Sequence, residues 1–222
     1  MCFSATGSFT LSGVLAAVGV ASVTRKVQAP ARMFAAVPLL FAAQQVAEGV
    51  VWLTMNSARG STPDALGAIH RLSVYAFLAF ALIVWPVWSP LSLRFIERNP
   101  ARKKMLTALC ALGAAIGVGA AVLLSRWQPV AAVAGHSINY SWAGSRNPIV
   151  ELVVLLAYAS ATVVAFFVST VRYARVIGGA LVVSVAMTML IRREALTSVW
   201  CFFAAVVSCL VLVAVEGMRG PS

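Results

Sequence analysis

The chain has 222 residues, of which 61% are hydrophobic and only 10% are charged, and its mean hydropathy is +0.93. A soluble domain carries about 25% charged residues, so this composition excludes a soluble enzyme and a disordered tail. The net charge of +11 would suggest nucleic acid as a partner in a soluble protein, but the Lys and Arg lie almost entirely between apolar runs. We therefore predict an integral membrane protein that is surrounded by membrane lipids and binds no nucleic acid.

Seven stretches qualify, or nearly qualify, to cross the hydrocarbon core, which takes about 20 helical residues. They cover residues 7–24, 33–55, 70–89, 105–124, 149–170, 175–191 and 196–217. Positive charge follows the first stretch, at Arg25 and Lys26, whereas a cleaved signal peptide carries it in front. With no internal repeat and no second domain, residues 1–222 are predicted to form one all-α domain, a bundle of seven transmembrane helices.

The distribution of Lys and Arg predicts the orientation of this bundle. If the N terminus lies outside, the inner segments hold 11 of the 17 Lys and Arg and the outer segments hold the other 6. Cytoplasmic loops of membrane proteins carry such an excess of positive charge. We therefore predict an N terminus outside and a C terminus in the cytoplasm.

Local motifs predict where the third helix ends, how the fourth helix packs and whether the longest loop is folded. The Trp-Pro-Val-Trp-Ser-Pro motif at 85–90 is predicted to end the third helix at the inner interface, because proline breaks helices and indoles favour the headgroup region. In the fourth helix, the Gly113/Gly117 and Ala115/Gly119 pairs have the small-xxx-small spacing that permits close helix approach. The outer loop, about 125–147, is rich in aromatic residues, which favours a folded lid over disorder.

The second helix carries the clearest anomaly. Gln44, Glu48 and Trp52 are spaced by four and so share one helix face, with Gln45 beside them. A charged side chain at mid-bilayer costs about 2.5–3.5 kcal/mol even on the permissive insertion scale, so this face must point into the bundle. Glu48 lies about 20 Å along the helix, in the outer half of the membrane. It is either a proton-accepting or ligand-binding group, or a protonated Glu that only satisfies a polar patch.

Other reactive residue types fall at the same height in this topology. The candidate catalytic residues are Glu48, Cys2 and His136. The candidate ligand-binding residues are Gln44, Gln45, Trp52, Tyr140 and Trp200, and the candidate metal ligands are Cys2, His70, His136 and Glu48. Such a ligand set suits zinc or copper, although no pair has a diagnostic spacing. The alternative for each residue alone is anchoring at the membrane interface.

Two chemistries of seven-helix proteins are excluded. Retinal binding needs a lysine deep in a helix, and Lys26, Lys103 and Lys104 all fall in inner loops. A zinc hydrolase of the ceramidase and adiponectin-receptor type uses three histidines, and this chain has two.

Three segments resemble a known family. They are Met-Cys-Phe-Ser-Ala-Thr at 1–6, Pro-Leu-Leu-Phe at 38–41 leading to Gln44, Gln45 and Glu48, and Ser-Val-Trp-Cys-Phe-Phe-Ala-Ala at 198–205. These look like an uncharacterised bacterial family of multi-pass membrane proteins whose members begin Met-Cys-Phe-Ser. The resemblance covers the whole chain and implies a seven-helix protein of the bacterial plasma (inner) membrane. It brings no known activity, so no catalytic role is carried over.

Three functions follow from these residues. The first is a polar site in the outer half of the bundle that binds a small molecule, lipid or metal, and that could also catalyse a reaction. The second is a structural or assembly subunit without a ligand site, and the third is a small-solute transporter. A blind outer pocket would favour the first function, the absence of any pocket the second, and a polar path to both membrane faces the third. The sequence leaves the ligand and the oligomeric state open.

Overall fold

The computed structural model describes residues 4–25, 27–57, 64–134, 137–142, 147–191 and 196–218. Of these, residues 56–57, 64–65, 134, 187–191 and 196–203 are described by their backbone alone. The chain is mostly helical, and the described strands form one antiparallel pair.

Helices account for most of the described residues. In chain order they are α1 (Ala5–Val23), α2 (Arg32–Ala35), α3 (Val37–Ser57), α4 (Asp64–Ala79), α5 (Trp85–Ile96), α6 (Pro100–Arg126), α7 (Pro148–Ala159), α8 (Ala165–Val168), α9 (Ala174–Ile191) and α10 (Leu196–Glu216). A 3-10 turn, Ala29–Ala31, precedes α2, and π-helical segments at Phe80–Val84 and Ser160–Val164 join α4 to α5 and α7 to α8.

Among the described residues, five helical stretches are long and apolar enough to cross a membrane. They are Ala5–Val23, Ala29–Met55, Leu66–Ile96, Pro100–Arg126 and Pro148–Val168. Within the described residues, two further apolar stretches, Ala174–Ala186 and Ala204–Glu216, are shorter. A helical protein suited to a membrane is therefore confirmed, whereas seven crossings and the orientation of the termini stay predictions.

Polar caps and prolines fix where several helices begin. The Ser4 hydroxyl accepts from the N–H of Gly7 at the start of α1. The side chains of Asn99 and Asn147 accept from backbone N–H groups in the first turns of α6 and α7, and each is followed by a proline at the first helical position. Both features are typical of helix N termini, where backbone donors lack an intrahelical partner.

The end of the bundle that carries most of the described Lys and Arg is called the basic end, and it comprises residues 24–32, 97–104, 169–175 and 217–218. Contacts between distant parts of the chain hold it together. Arg25 forms an ion pair with Glu216, with Nε 2.7 Å from Oε1, so the ends of α1 and α10 meet there. The indole N–H of Trp88 donates to the Met33 carbonyl at 3.0 Å, which connects α5 to α2.

A β-hairpin closes the opposite, or hairpin, end. Strands β1 (Val130–Ala134) and β2 (Ser137–Ser141) pair antiparallel. Ile138 is buried among residues of α3, α4 and α6, and the Tyr140 ring stacks on Phe77 with centroids 4.8 Å apart. The all-α prediction misses this hairpin, which follows the strand alternation of buried Ile138, exposed Asn139 and half-buried Tyr140.

The prediction that the Trp-Pro motif ends the third helix is wrong. Helix α5 continues to Ile96, with Pro86 in its first turn and Pro90 inside it. A proline within a helix removes one backbone donor. Membrane helices tolerate such prolines where neighbouring groups satisfy the freed carbonyls, and here α7 and α6 approach the two carbonyls concerned.

Helix α7 supplies the donor for the first carbonyl. In the π-helical segment the Trp85 N–H bonds to the Phe80 carbonyl, five residues back, so the same pattern would pair the Ala81 carbonyl with residue 86. Residue 86 is a proline and has no N–H. The Tyr158 hydroxyl donates to the Ala81 carbonyl instead, at 2.7 Å.

Helix α6 packs against the second carbonyl, that of Pro86, whose usual helical partner would be the N–H of residue 90, also a proline. The carbonyl lies so close to Gly113 that a Cβ at this position would overlap it. Gly117 is likewise buried, against Ile83. Around Gly119, by contrast, the described part of the chain places no atom within 4 Å of an added Cβ. The Gly113/Gly117 pair therefore forms the predicted close helix contact.

Candidate functional site

The side chains of Gln44, Gln45 and Glu48, here called the polar face of α3, point into the bundle. Glu48 is 0% exposed, Gln45 is 1% exposed and Gln44 is also buried. Glu48 lies nine residues before Ser57, so it is about 13 Å from the end of α3 near the hairpin. One membrane-length helix therefore carries a carboxyl group and two amides that are buried inside the bundle.

Helix α1 packs closely along α3 at the level of this face. The Ser12 hydroxyl of α1 donates to the Ala42 carbonyl of α3 at 2.9 Å. Farther along, a Cβ at Gly49 would lie 2.8 Å from the Phe9 ring, so the missing side chain lets the two helices come together. Small and hydroxyl-bearing residues thus allow α1 to cover α3 beside Glu48.

Gln44 is part of a buried hydrogen bond that the sequence analysis misses. The indole N–H of Trp85 donates to Gln44 Oε1 at 2.7 Å, and the Trp85 ring packs on Phe41 with centroids 4.1 Å apart. The prediction that Trp85 lies in the headgroup region is wrong, since this residue is only 6% exposed. An indole N–H can only donate, and Gln44 supplies the acceptor inside the bundle.

His70 lies within α4 and not at its start, because the helix begins at Asp64. Its Nδ1 is 2.8 Å from the Thr54 hydroxyl oxygen. That hydroxyl also lies 2.8 Å from the Val50 carbonyl, to which it donates. The Thr54 hydroxyl and His70 Nδ1 therefore form a hydrogen bond whose direction depends on the ring tautomer, and Nε2 is the other nitrogen that could bind a ligand.

The remaining predicted site residues lie in different settings. Trp52 is half-buried on α3, and Tyr140 is half-buried on the hairpin. Cys2 and His136 lie outside the described residues, and Trp200 is described only by its backbone in α10. Among the described residues, no three His, Cys, Asp or Glu side chains form a group that could hold a metal ion. The zinc or copper site stays a prediction, since two of its four proposed ligands are not described.

A second polar cluster, at the basic end, was not predicted. Glu97 is 3% exposed and accepts hydrogen bonds from the Asn99 N–H at 2.9 Å, from the Thr170 N–H at 2.7 Å and from the Thr170 hydroxyl at 2.9 Å. Burial raises the pKa of Glu97, but these hydrogen bonds outweigh it, so its pKa lies below the ordinary value. The ionised carboxylate therefore joins the end of α5 to the turn between α8 and α9.

The turn between α8 and α9 is held at several points. Arg102 Nη1 donates to the Val168 carbonyl at 3.0 Å, and the Arg172 guanidinium lies 5.0 Å from the centre of the Tyr173 ring. Tyr173 has a φ of 66°, in the left-handed region that costs a non-glycine residue about 1–3 kcal/mol. The surrounding contacts keep this turn in place. The sequence signal for the cluster is Glu97 itself, a single carboxylate among five Lys and Arg between residues 94 and 104.

Comparison with known proteins identifies a family but no activity. No curated protein and no solved structure matches the chain at a significant level. One family model matches residues 1–222, the whole chain, which confirms the expected likeness to a family without a known function. The shared first residues and the bacterial source stay predictions. By this match the chain belongs to DUF6629, a family of unknown function.

Proposed function

We propose that all seven apolar helices cross the bacterial inner membrane, with the N terminus outside and the C terminus in the cytoplasm. The excess of Lys and Arg at the basic end supports this orientation. Cysteine labelling of intact cells tests it, in a variant without the native cysteines. A Cys introduced at Ser61 should react with an impermeant reagent, and one introduced at Lys103 should not; the reverse pattern would overturn the topology.

Within this bundle, we propose that the polar face of α3 is a binding site for a small molecule, a lipid or a metal ion. One observation carries the proposal: Glu48 is fully buried inside the apolar stretch Ala29–Met55. An ionisable group at such a depth is costly, and those that persist in membrane helices usually serve function. Glu48 would be the ligand-binding or proton-accepting group of the site, and Gln45 would help to orient the ligand.

A structural role is the second candidate, and one contact favours it. Gln44 already uses its side-chain oxygen to accept from Trp85, so part of the polar face stabilises the packing of α3 against α5. Catalysis and transport have a narrower basis, since both rest on Glu48 alone. The experiment must therefore separate loss of a ligand from loss of packing.

Substitution of Glu48 makes this separation. Glu48→Gln keeps the shape and the hydrogen-bonding capacity but removes the ionisable group. We expect normal expression and an unchanged melting temperature, with loss of the small molecule, lipid or metal that co-purifies with the wild type. Glu48→Leu should also lose stability, because a buried amide that loses its partner costs about 1–3 kcal/mol. Melting curves, elemental analysis and mass spectrometry of co-purified molecules provide the measurements.

Glu151→Gln is the matched control, since it removes a carboxylate from an exposed position in the first turn of α7. Its bound content should equal that of the wild type, and its stability should fall by no more than the roughly 1 kcal/mol that a carboxylate near a helix N terminus contributes. If Glu48→Gln keeps its full bound content, or if the wild type carries no ligand, then the binding site is refuted and the structural role stands.

A further inference from the structure

Two clefts open at the basic end, far from Glu48. Their volumes are about 310 and 600 Å³, and Thr170 and Val171 line both of them. The clefts therefore share the turn that Glu97 and Arg102 hold in place. Because hydrogen bonds hold this turn, the clefts have a wall of defined shape.

The two clefts are positively charged. Arg98 and Lys103 line the larger one, Arg102 and Arg175 line the smaller one, and Glu97 is the one carboxylate among the described residues of either wall. The described lining residues give the larger cleft, with Glu97 beside its two cations, a net charge of +1, and the smaller cleft, with two cations, a net charge of +2. The Glu97 oxygens already accept from Asn99 and Thr170, so this carboxylate is held by the protein, whereas Arg98 and Lys103 are exposed. The N–H donors of Arg98 and Lys103 are therefore accessible to an anion from solvent.

Apolar side chains also line the larger cleft. Phe95, Ile96 and Met218 line it together with the cations. Ile96 is the last residue of the apolar stretch Leu66–Ile96, so the cleft spans the level at which hydrocarbon gives way to headgroups. A recess lined by both cations and apolar side chains matches an amphiphilic anion better than a fully soluble one.

We propose that the larger cleft binds an anionic phospholipid of the inner leaflet, with its phosphate on Arg98 and Lys103 and its acyl chains along Phe95 and Ile96. This inference rests on the proposed membrane orientation but not on any role of Glu48. Inorganic phosphate shares the headgroup chemistry, and the apolar wall is the reason for choosing the lipid. The Glu97 carboxylate has a positioning role, since it sets the wall formed by Thr170.

Binding of a fluorescent phosphatidylglycerol to the full chain in detergent tests the proposal. Each Lys or Arg near an anionic lipid is worth about fivefold in affinity, so the R98Q/K103Q double variant should bind about thirtyfold more weakly. R32Q/K104Q is the matched control, because it removes two exposed cations of the same end that do not line the described clefts. This control should retain most of the affinity.

The outcomes separate the alternatives. Equal losses in the two double variants would mean a general attraction of the basic end for anionic lipid, and would overturn the site. Competition by millimolar inorganic phosphate, with no preference for phosphatidylglycerol over phosphatidylcholine, would replace the lipid by a soluble anion. Melting curves of both double variants check that folding is intact. Cysteine labelling that places Lys103 outside would instead refute the orientation on which the inference rests.

Discussion

Gly113→Ala is a sharp test of how the helices pack. The Pro86 carbonyl occupies the space that a Cβ at position 113 would need. A backbone carbonyl in a helix cannot rotate away as a side chain can, so α5 and α6 would have to move apart. Gly119→Ala is the matched control in the same helix, because among the described residues nothing lies within 4 Å of its Cβ.

The magnitude follows from comparing the two variants. Alanine is a better helix former than glycine by about 1 kcal/mol, and this gain applies at both positions. The difference between the variants therefore isolates the overlap with Pro86. Overpacking of a close contact costs about 1–3 kcal/mol, and the backbone nature of the neighbour places Gly113→Ala toward the upper part of that range.

Thermal unfolding of both variants in one detergent or nanodisc provides the assay. With about 2–4 °C per kcal/mol for a chain of this size, Gly113→Ala should melt about 2–12 °C below Gly119→Ala. Gly117→Ala should fall between them, since its Cβ would meet the Ile83 side chain at 3.3 Å. Equal melting temperatures for the 113 and 119 variants would refute the close contact between α5 and α6.

Two further predictions concern buried polar contacts. Trp85→Phe removes the indole N–H that donates to Gln44 and should lower the free energy of unfolding by about 1–3 kcal/mol. A Trp85→Phe/Gln44→Leu double variant should recover part of this loss. A double-mutant cycle of melting curves measures the coupling, and additive effects would contradict the contact. The lowered pKa of Glu97 means that the folded state binds fewer protons than the unfolded state, so its stability contribution is complete well above the unfolded-state pKa of about 4.3 and is lost as the pH falls through and below that value. Melting temperatures in a pH series should show a steeper acid decline for the wild type than for Glu97→Gln, and equal declines would contradict the role of this carboxylate.

Sequence periodicity was sufficient to predict the polar face of α3. Gln44 and Glu48 are one helical turn apart, and the cost of a charge in lipid directs that face into the bundle. Their burial in the structure agrees with this reasoning. The Gly113/Gly117 pair was predicted in the same way, from a spacing that leaves a groove along one side of a helix. Such features depend only on the geometry of a single helix, which the sequence determines.

Features that depend on a second part of the chain were not predictable. From the sequence alone, prolines at 86 and 90 predict a helix end. The donor that compensates for Pro86 lies on another helix and leaves no pattern in the local sequence. Tyr158, which bonds the freed Ala81 carbonyl, is 77 residues away in the sequence. The pairing of Glu97 with Thr170 is equally distant, at 73 residues. Only the lone negative charge in a basic loop signalled that a partner must exist.

The two prolines of the third candidate crossing, Leu66–Ile96, also have a consequence for biogenesis. On the proposed topology this crossing leaves the ribosome before α7 exists, so its Ala81 carbonyl enters the membrane without the Tyr158 hydroxyl that later bonds it. An unsatisfied backbone group in lipid costs several kcal/mol. We therefore expect this crossing to stay beside the insertion machinery until Tyr158 has been synthesised. In a pulse-chase experiment, a chain ending after Arg126 should be degraded faster than one ending after Val168, and equal lifetimes would argue against this order of assembly.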